Sequence, residues 1–165
     1  MRRTIIEMRR EFRQHWPHYV GQSTLATLVL LVALWVLRSE HMVIVASLGS
    51  TAFIVFAMPN SVTARARNVI GGHVVGLLCG ALCGMFAAWI SDAALFAYAV
   101  AVGLSMFLMV ASDTEHPPAS GTALGVAVSA GSATPWWGVP AAVLIGAVVL
   151  AAAHRVLRPH LRDLT

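Results

Sequence analysis

Val69-Ile70-Gly71-Gly72-His73-Val74-Val75-Gly76-Leu77-Leu78-Cys79-Gly80-Ala81-Leu82-Cys83-Gly84-Met85-Phe86-Ala87-Ala88-Trp89-Ile90 contains one imidazole and no Arg, Lys, Asp or Glu. An apolar run of about 20 residues is the length that crosses a bilayer core as a helix. Gly72, Gly76, Gly80 and Gly84 recur every four residues, so one face of that helix is bare backbone and a neighbouring helix can approach closely. Such a glycine zipper predicts a packing face, within one protomer or between copies in a homo-oligomer; the functional reading is that it borders a permeation path. Cys79 and Cys83 lie one turn apart, and with no further Cys in the chain they read as small packing residues rather than half of a soft metal site.

The rest of the chain agrees with this reading. Of 165 residues, 58% are hydrophobic and only 11% charged, against about 25% in a soluble domain, and mean hydropathy is +0.77. Too few charges exist to coat a water-facing surface. The expected class is an all-α integral membrane protein forming a single membrane domain over residues 1–165, with no room for a soluble catalytic domain, no enzymatic activity and no cofactor. All eleven basic residues are Arg, and all but Arg38 fall in blocks at Arg2 to Arg13, at Arg65 and Arg67, and at Arg155 to Arg162. Those blocks flank apolar segments, so the basic balance reads as topology within a lipid bilayer and not as nucleic-acid binding.

Residues 1–18 place Ile5, Met8, Phe12 and Trp16 at near-helical spacing and predict an interfacial amphipathic helix. Six apolar segments follow at about 20–37, 42–58, 69–90, 94–112, 117–131 and 137–157, with 158–165 as a cytoplasmic tail. The fifth would rise only about 22 Å, short of the roughly 30 Å core, so segments two and five are candidates for half-length or re-entrant helices. If all six cross, ten Arg collect on one side and only Arg38 lies opposite; if segments two and five turn back, the split is eight to three. The six-span topology with both termini cytoplasmic is therefore expected. Trp16, Trp35, Trp89, Trp136 and Trp137 fall at segment ends, as interfacial rings do. Val45-Ala46-Ser47 before Gly49-Ser50-Thr51-Ala52, echoed by Val110-Ala111-Ser112 before Gly121-Thr122-Ala123, suggests an inverted repeat of segments one to three over four to six.

The densest polar cluster is Ser112-Asp113-Thr114-Glu115-His116-Pro117-Pro118-Ala119-Ser120-Gly121-Thr122. Paired prolines open a helix, whose first amides favour an anion. The substrate-binding candidates are Ser50, Thr51, His73, His116, Ser120, Gly121 and Thr122, grouped at the starts of the broken segments. Asp113 and Glu115 would repel an anion unless neutralised. Arg65 or Arg67 reaches them in the six-span topology, which predicts a cytoplasmic Arg/carboxylate gate, partly desolvated and hinged at Pro59, Pro117 and Pro118. The bland alternatives are a solvated proline turn and arginines that serve only topology.

His116-Pro117-Pro118 between apolar segments, with Pro59-Asn60-Ser61 through Arg67-Asn68-Val69-Ile70-Gly71-Gly72-His73 earlier, resembles the HPP family of integral membrane proteins over roughly residues 20–157. Arg65-Ala66 stand where many members have Gln-Pro, and Ala119-Ser120 where many have glycines. The resemblance implies a bundle with four spans. It also implies transport of a small anion, since plastid members are associated with nitrite, and a multi-pass place in the bacterial inner membrane. A membrane metal site built from His73, Asp113, Glu115 and His116, or a structural accessory subunit, are the alternatives.

Overall fold

The computed structural model describes residues 5–37, 42–89, 94–130 and 138–164. Arg2, Arg3, Arg38, Trp136 and Trp137 lie outside the described residues. Six α-helices appear where apolar segments were expected: α1 (Ile5–Leu37), α2 (Met42–Ala57), α3 (Ala66–Trp89), α4 (Ala94–Ala111), α5 (Pro118–Ala130) and α6 (Gly138–Leu157). Among the described residues, α3, α4 and the helix from Gly138 are long and apolar enough to cross a membrane. At 1.5 Å per residue α2 and α5 rise about 24 and 20 Å, so both are short of a full crossing, which departs from six full spans and matches the half-length alternative for segments two and five.

One boundary differs from expectation. The interfacial segment and the first apolar segment form a single helix of 33 residues that runs through Pro17. Proline removes one ladder hydrogen bond, and the helix continues through it.

The helix α3 occupies the centre, packed on α4, α5 and α6, while α5 is held between α2, α3 and α4. The glycine stripe explains the tightest of these contacts. A Cβ at Gly80 would stand 2.5 Å from the Ala123 carbonyl oxygen, one at Gly84 2.7 Å from that of Ala127, and one at Gly76 would run into that of Ala119. Three carbonyls of α5 thus rest on the bare backbone of α3. The stripe is covered within the chain, so it is not the surface on which copies would associate.

Exchanging α1–α3 with α4–α6 maps the main packed pairs onto one another: α3–α5 onto α6–α2, α3–α4 onto α6–α1 and α1–α2 onto α4–α5, with α2–α5 and α3–α6 mapping onto themselves. The correspondence is one of which helices touch in the two three-helix halves, since α3 packs on α4 and α5 far more extensively than α6 does on α1 and α2. The core between the halves is apolar, with Ile44, Leu48, Val55, Phe56, Val69, Val126, Val143 and Leu150 buried. Leu78, Leu82 and Phe86 of α3, Phe96 and Phe107 of α4, and Leu28 and Leu31 of α1 are exposed, an outer surface suited to lipid.

Polar contacts gather at one end of the bundle. The Gln22 amide donates to the carbonyls of Phe56 and Arg162, the latter at 2.8 Å, and accepts from the Arg162 amide at 3.1 Å. The Leu164 amide bonds the Ala57 carbonyl, and His154 Nε2 donates to that of Pro59 at 2.9 Å. The C-terminal segment, the end of α2 and the start of α3 therefore lie at one end of the bundle. Gln22→Leu is expected to lower stability by about 1 to 3 kcal/mol, because the buried Phe56 carbonyl and the part-buried Arg162 carbonyl lose their donor. A thermal melt in detergent measures it.

Candidate functional site

Four separate pieces of chain meet where α2 crosses α5. Ser47 and Thr51 are one turn apart on α2 and face inward; His73 comes from α3, His116 from the α4–α5 connection and Thr122 from α5. All but Ser47 have no exposed surface, and Ser47 is 4% exposed. Gly72 makes this possible, since a Cβ there would lie 2.7 Å from the His116 Cβ. Only a glycine lets the His116 backbone settle on α3 beside His73.

The polar atoms form one continuous chain. Thr51 Oγ1 lies 3.1 Å from His73 Nε2 and 3.0 Å from His116 Nε2, bridging the two rings, whose centroids are 5.2 Å apart. His73 Nδ1 is 2.8 Å from Thr122 Oγ1, which is 2.9 Å from Ser47 Oγ, and Ser47 donates to the Pro118 carbonyl at 2.6 Å. At the other end His116 Nδ1 donates to the Thr63 carbonyl at 2.8 Å. Among the described residues no buried side-chain nitrogen or oxygen lacks a partner. A satisfied network of this kind is stable in a low-dielectric interior, whereas a half-satisfied one is costly.

His116, in the connection outside the helices, has its imidazole pushed down from 6.5 to about 4 by burial, against the Thr63 carbonyl, which favours the protonated ring. A histidine lowered on folding contributes stability that is full above its unfolded value and is lost as pH falls toward the folded one. Acidification from pH 6.5 toward 4 is therefore expected to lower the melting temperature. A pH-independent melt over that range would contradict it.

The expected anion site at helix starts is not what forms. Ser50 and Thr51 sit in the middle of α2, their hydroxyls bonded to carbonyls four residues back. At the start of α5 the Ala119 amide bonds the His116 carbonyl at 2.8 Å and the Ser120 amide that of Pro117 at 3.1 Å. These amides are used locally because the proline pair folds the connection into a turn before the helix begins. The polar atoms that do converge here are side-chain hydroxyls and imidazoles. Ser50 and Gly121 face a groove of about 500 Å³ between α2 and α5, shared with Ser47 and Pro118. Ser120 points elsewhere, toward Ser105 at 3.4 Å.

Arg67 Nη1 pairs with Asp113 Oδ2 at 2.8 Å and its Nη2 bonds the Ser112 carbonyl at 3.0 Å. Asp113 is placed by the end of α4: its φ of 54° is left-handed, and the Thr114 amide returns to Met109 at 2.9 Å and its own to Val110 at 3.3 Å. That is a Schellman ending, most often built on glycine. The pair itself lies in the open, with side chains 64% and 73% exposed, and not in the partly desolvated setting expected for the gate. A double-mutant cycle on Arg67 and Asp113 is therefore expected to give a coupling of at most about 1 kcal/mol. Arg65 is exposed, and Glu115 contributes a backbone carbonyl to Asn68 at 3.2 Å. Of the hinge candidates, Pro59 is buried under His154, Pro117 is exposed and Pro118 is buried.

Among the described residues no group of three or more His, Cys, Asp or Glu is placed to hold a metal ion. Cys79 and Cys83 pack with Ala101, Ala123 and Ala127. Ser47, Gly72 and the Thr63 carbonyl belong to the site but were not among its expected members. The spacing of Ser47 four residues before Thr51 was the available signal for the first.

The family described as HPP, transmembrane region, matches residues 8–160. Two transmembrane proteins of Dictyostelium discoideum are similar: one is 29% identical over 109 residues, 66% of this chain and 38% of its own, and the other is 27% identical over 117 residues, 67% and 38%. The match thus spans well under half the length of these relatives. No solved structure matches the chain.

Proposed function

The chain belongs to the HPP transmembrane family, and from that premise we propose that it carries a small inorganic anion, nitrite first among them, across the membrane. The observation that supports this reading is the buried Ser47, Thr51, His73, His116 and Thr122 network beside the α2–α5 groove. Hydroxyls and imidazole N–H groups are donors that can replace part of an anion's hydration shell. The two short helices create the polar interior that a bundle of full spans would lack. Ser50 and Gly121 flank the path, and Ser120 lies off it against Ser105. Arg65 and Arg67 with Asp113 and Glu115 line its cytoplasmic entrance, where the exposed Arg67–Asp113 pair is worth little as a lock.

We place the chain in the bacterial inner membrane with both termini cytoplasmic, a choice that rests on the arginine count; the contacts of Gln22 with the C-terminal segment bear only on which segments share an end. A homo-oligomer, the assembly we propose, has to form through lipid-facing surfaces such as the Phe96 and Phe107 face of α4. Cross-linking in native membranes tests it, and a monomer under all conditions would end it. For the function, labelled nitrite uptake into proteoliposomes carrying the purified chain should exceed that of protein-free vesicles. Equal uptake in both, for nitrite and nitrate alike, would remove the anion reading.

A further inference from the structure

The buried cluster contains no Arg, Lys, Asp or Glu, yet its proposed cargo bears a full negative charge. Sealing an unpaired anion in a low-dielectric interior is strongly unfavourable, so a countercharge has to arise there. The groups facing the rings are Ser47 and Thr51 of α2, the Thr63 carbonyl of the turn before α3, and Thr122 of α5. Charged or titratable groups on the packed elements lie farther out. Arg65 is exposed, Arg67 and Asp113 are exposed and pair with each other, Glu115 is on the connection, and His154 of α6 bonds Pro59. The two imidazoles are the cluster groups that can become positive.

Counting the Thr51 bond to the Ser47 carbonyl, seven hydrogen-bonding contacts join this cluster to itself and to its neighbouring carbonyls. With both rings neutral, Thr51, Ser47, Thr122, His73 and His116 supply one hydrogen each, which leaves two of those contacts without one. His116 Nδ1–H serves the Thr63 carbonyl and Thr51 serves the Ser47 carbonyl, so the bare His116 Nε2 faces the Thr51 oxygen with no hydrogen between them. One added proton on that ring fills this contact.

We propose that this cluster takes up one proton with each anion, so that transport is an electroneutral proton–anion symport with the His73–Thr51–His116 unit as the proton carrier. The proposal rests on the anion reading above and deepens it. A proton and a monovalent anion enter together and leave together; an imidazole N–H forms on loading and breaks on release, and no net charge crosses. An anion beside the rings favours their protonated form, and the protonated form favours the anion.

The test uses proteoliposomes of the full chain with an internal pH dye, read as initial rates above protein-free vesicles, because nitrous acid crosses bare lipid. A 100 mV inside-negative potassium potential would lower the equilibrium accumulation of a lone monovalent anion about 50-fold. Symport predicts nitrite uptake that changes less than about twofold under that potential and is accompanied by about one proton per nitrite. Uptake slowed at least about fivefold, with no protein-dependent acidification, would overturn the coupling and leave the anion reading standing. No protein-dependent uptake of nitrite or nitrate would overturn both. In His116→Gln the proton-to-nitrite ratio is expected to fall, and an unchanged ratio counts against the carrier. The wild-type measurement decides the matter by itself if that variant does not fold.

Discussion

Gly80→Leu is expected to abolish folded protein. A Cβ at position 80 would lie 2.5 Å from the Ala123 carbonyl oxygen and 2.8 Å from the Val126 Cβ, so the first added carbon already meets α5 backbone. Overpacking a core commonly costs about 1 to 3 kcal/mol when side chains can move aside. Here the obstacle is a carbonyl of a packed helix, and relief requires all of α5 to retreat from α3. Retreat also pulls Thr122 away from His73 and the connection away from Gly72, so the damage spreads into the polar network. Gly76→Leu is expected to behave alike. The control is Gly103→Leu on α4, where an added Cβ meets nothing within 4 Å. Size-exclusion profiles and melting temperatures in detergent read the result. A monodisperse Gly80→Leu protein melting with the wild type would contradict the α3–α5 contact described above.

The second large effect is on transport. Thr51→Val keeps the shape of the side chain and removes the one oxygen that joins both imidazoles, at 3.1 and 3.0 Å. Two buried ring nitrogens lose a partner, at about 1 to 3 kcal/mol each if nothing relaxes. Nitrite uptake above the protein-free baseline is expected to fall at least about tenfold, since 1.4 kcal/mol already equals a factor of ten. Thr51→Ser, which restores the oxygen, is expected to recover most of the rate, whereas a purely structural role would make recovery track melting temperature alone. Thr122→Val removes the other ring partner and should act similarly. Full transport by a Thr51→Val, Thr122→Val double variant would take both residues out of the path.

Much of this architecture is written in local pattern. Composition decides that the chain is a membrane protein, because burial in lipid needs apolar surface and that property is a sum over residues. The six helices follow from apolar runs broken by Pro59, by Pro117-Pro118 and by charged or polar connections. The brevity of segments two and five is a matter of counting. The four-residue glycine spacing announces a close helix contact, since any partner must see bare backbone. The pairing of Arg67 with Asp113 also follows from topology, because the arginine count places both connections at one end.

Other decisions belong to the fold alone. The glycine stripe specifies closeness but not identity, and only packing decides that its partner is α5 of the same chain. The amides at the start of α5 look free in sequence, and the turn made by Pro117-Pro118 gives them carbonyls instead. The exposure of Arg67 and Asp113, which weakens their pair, depends on where the surface ends up. Ser47 joins Thr122, Thr51 joins His116, and His116 reaches Thr63 across separations of 75, 65 and 53 residues. Hydrogen bonds of that range leave no trace in local periodicity. They exist because α5, drawn onto the bare face of α3, brings its first turn against α2, where polar atoms closed off from water have only one another to bond.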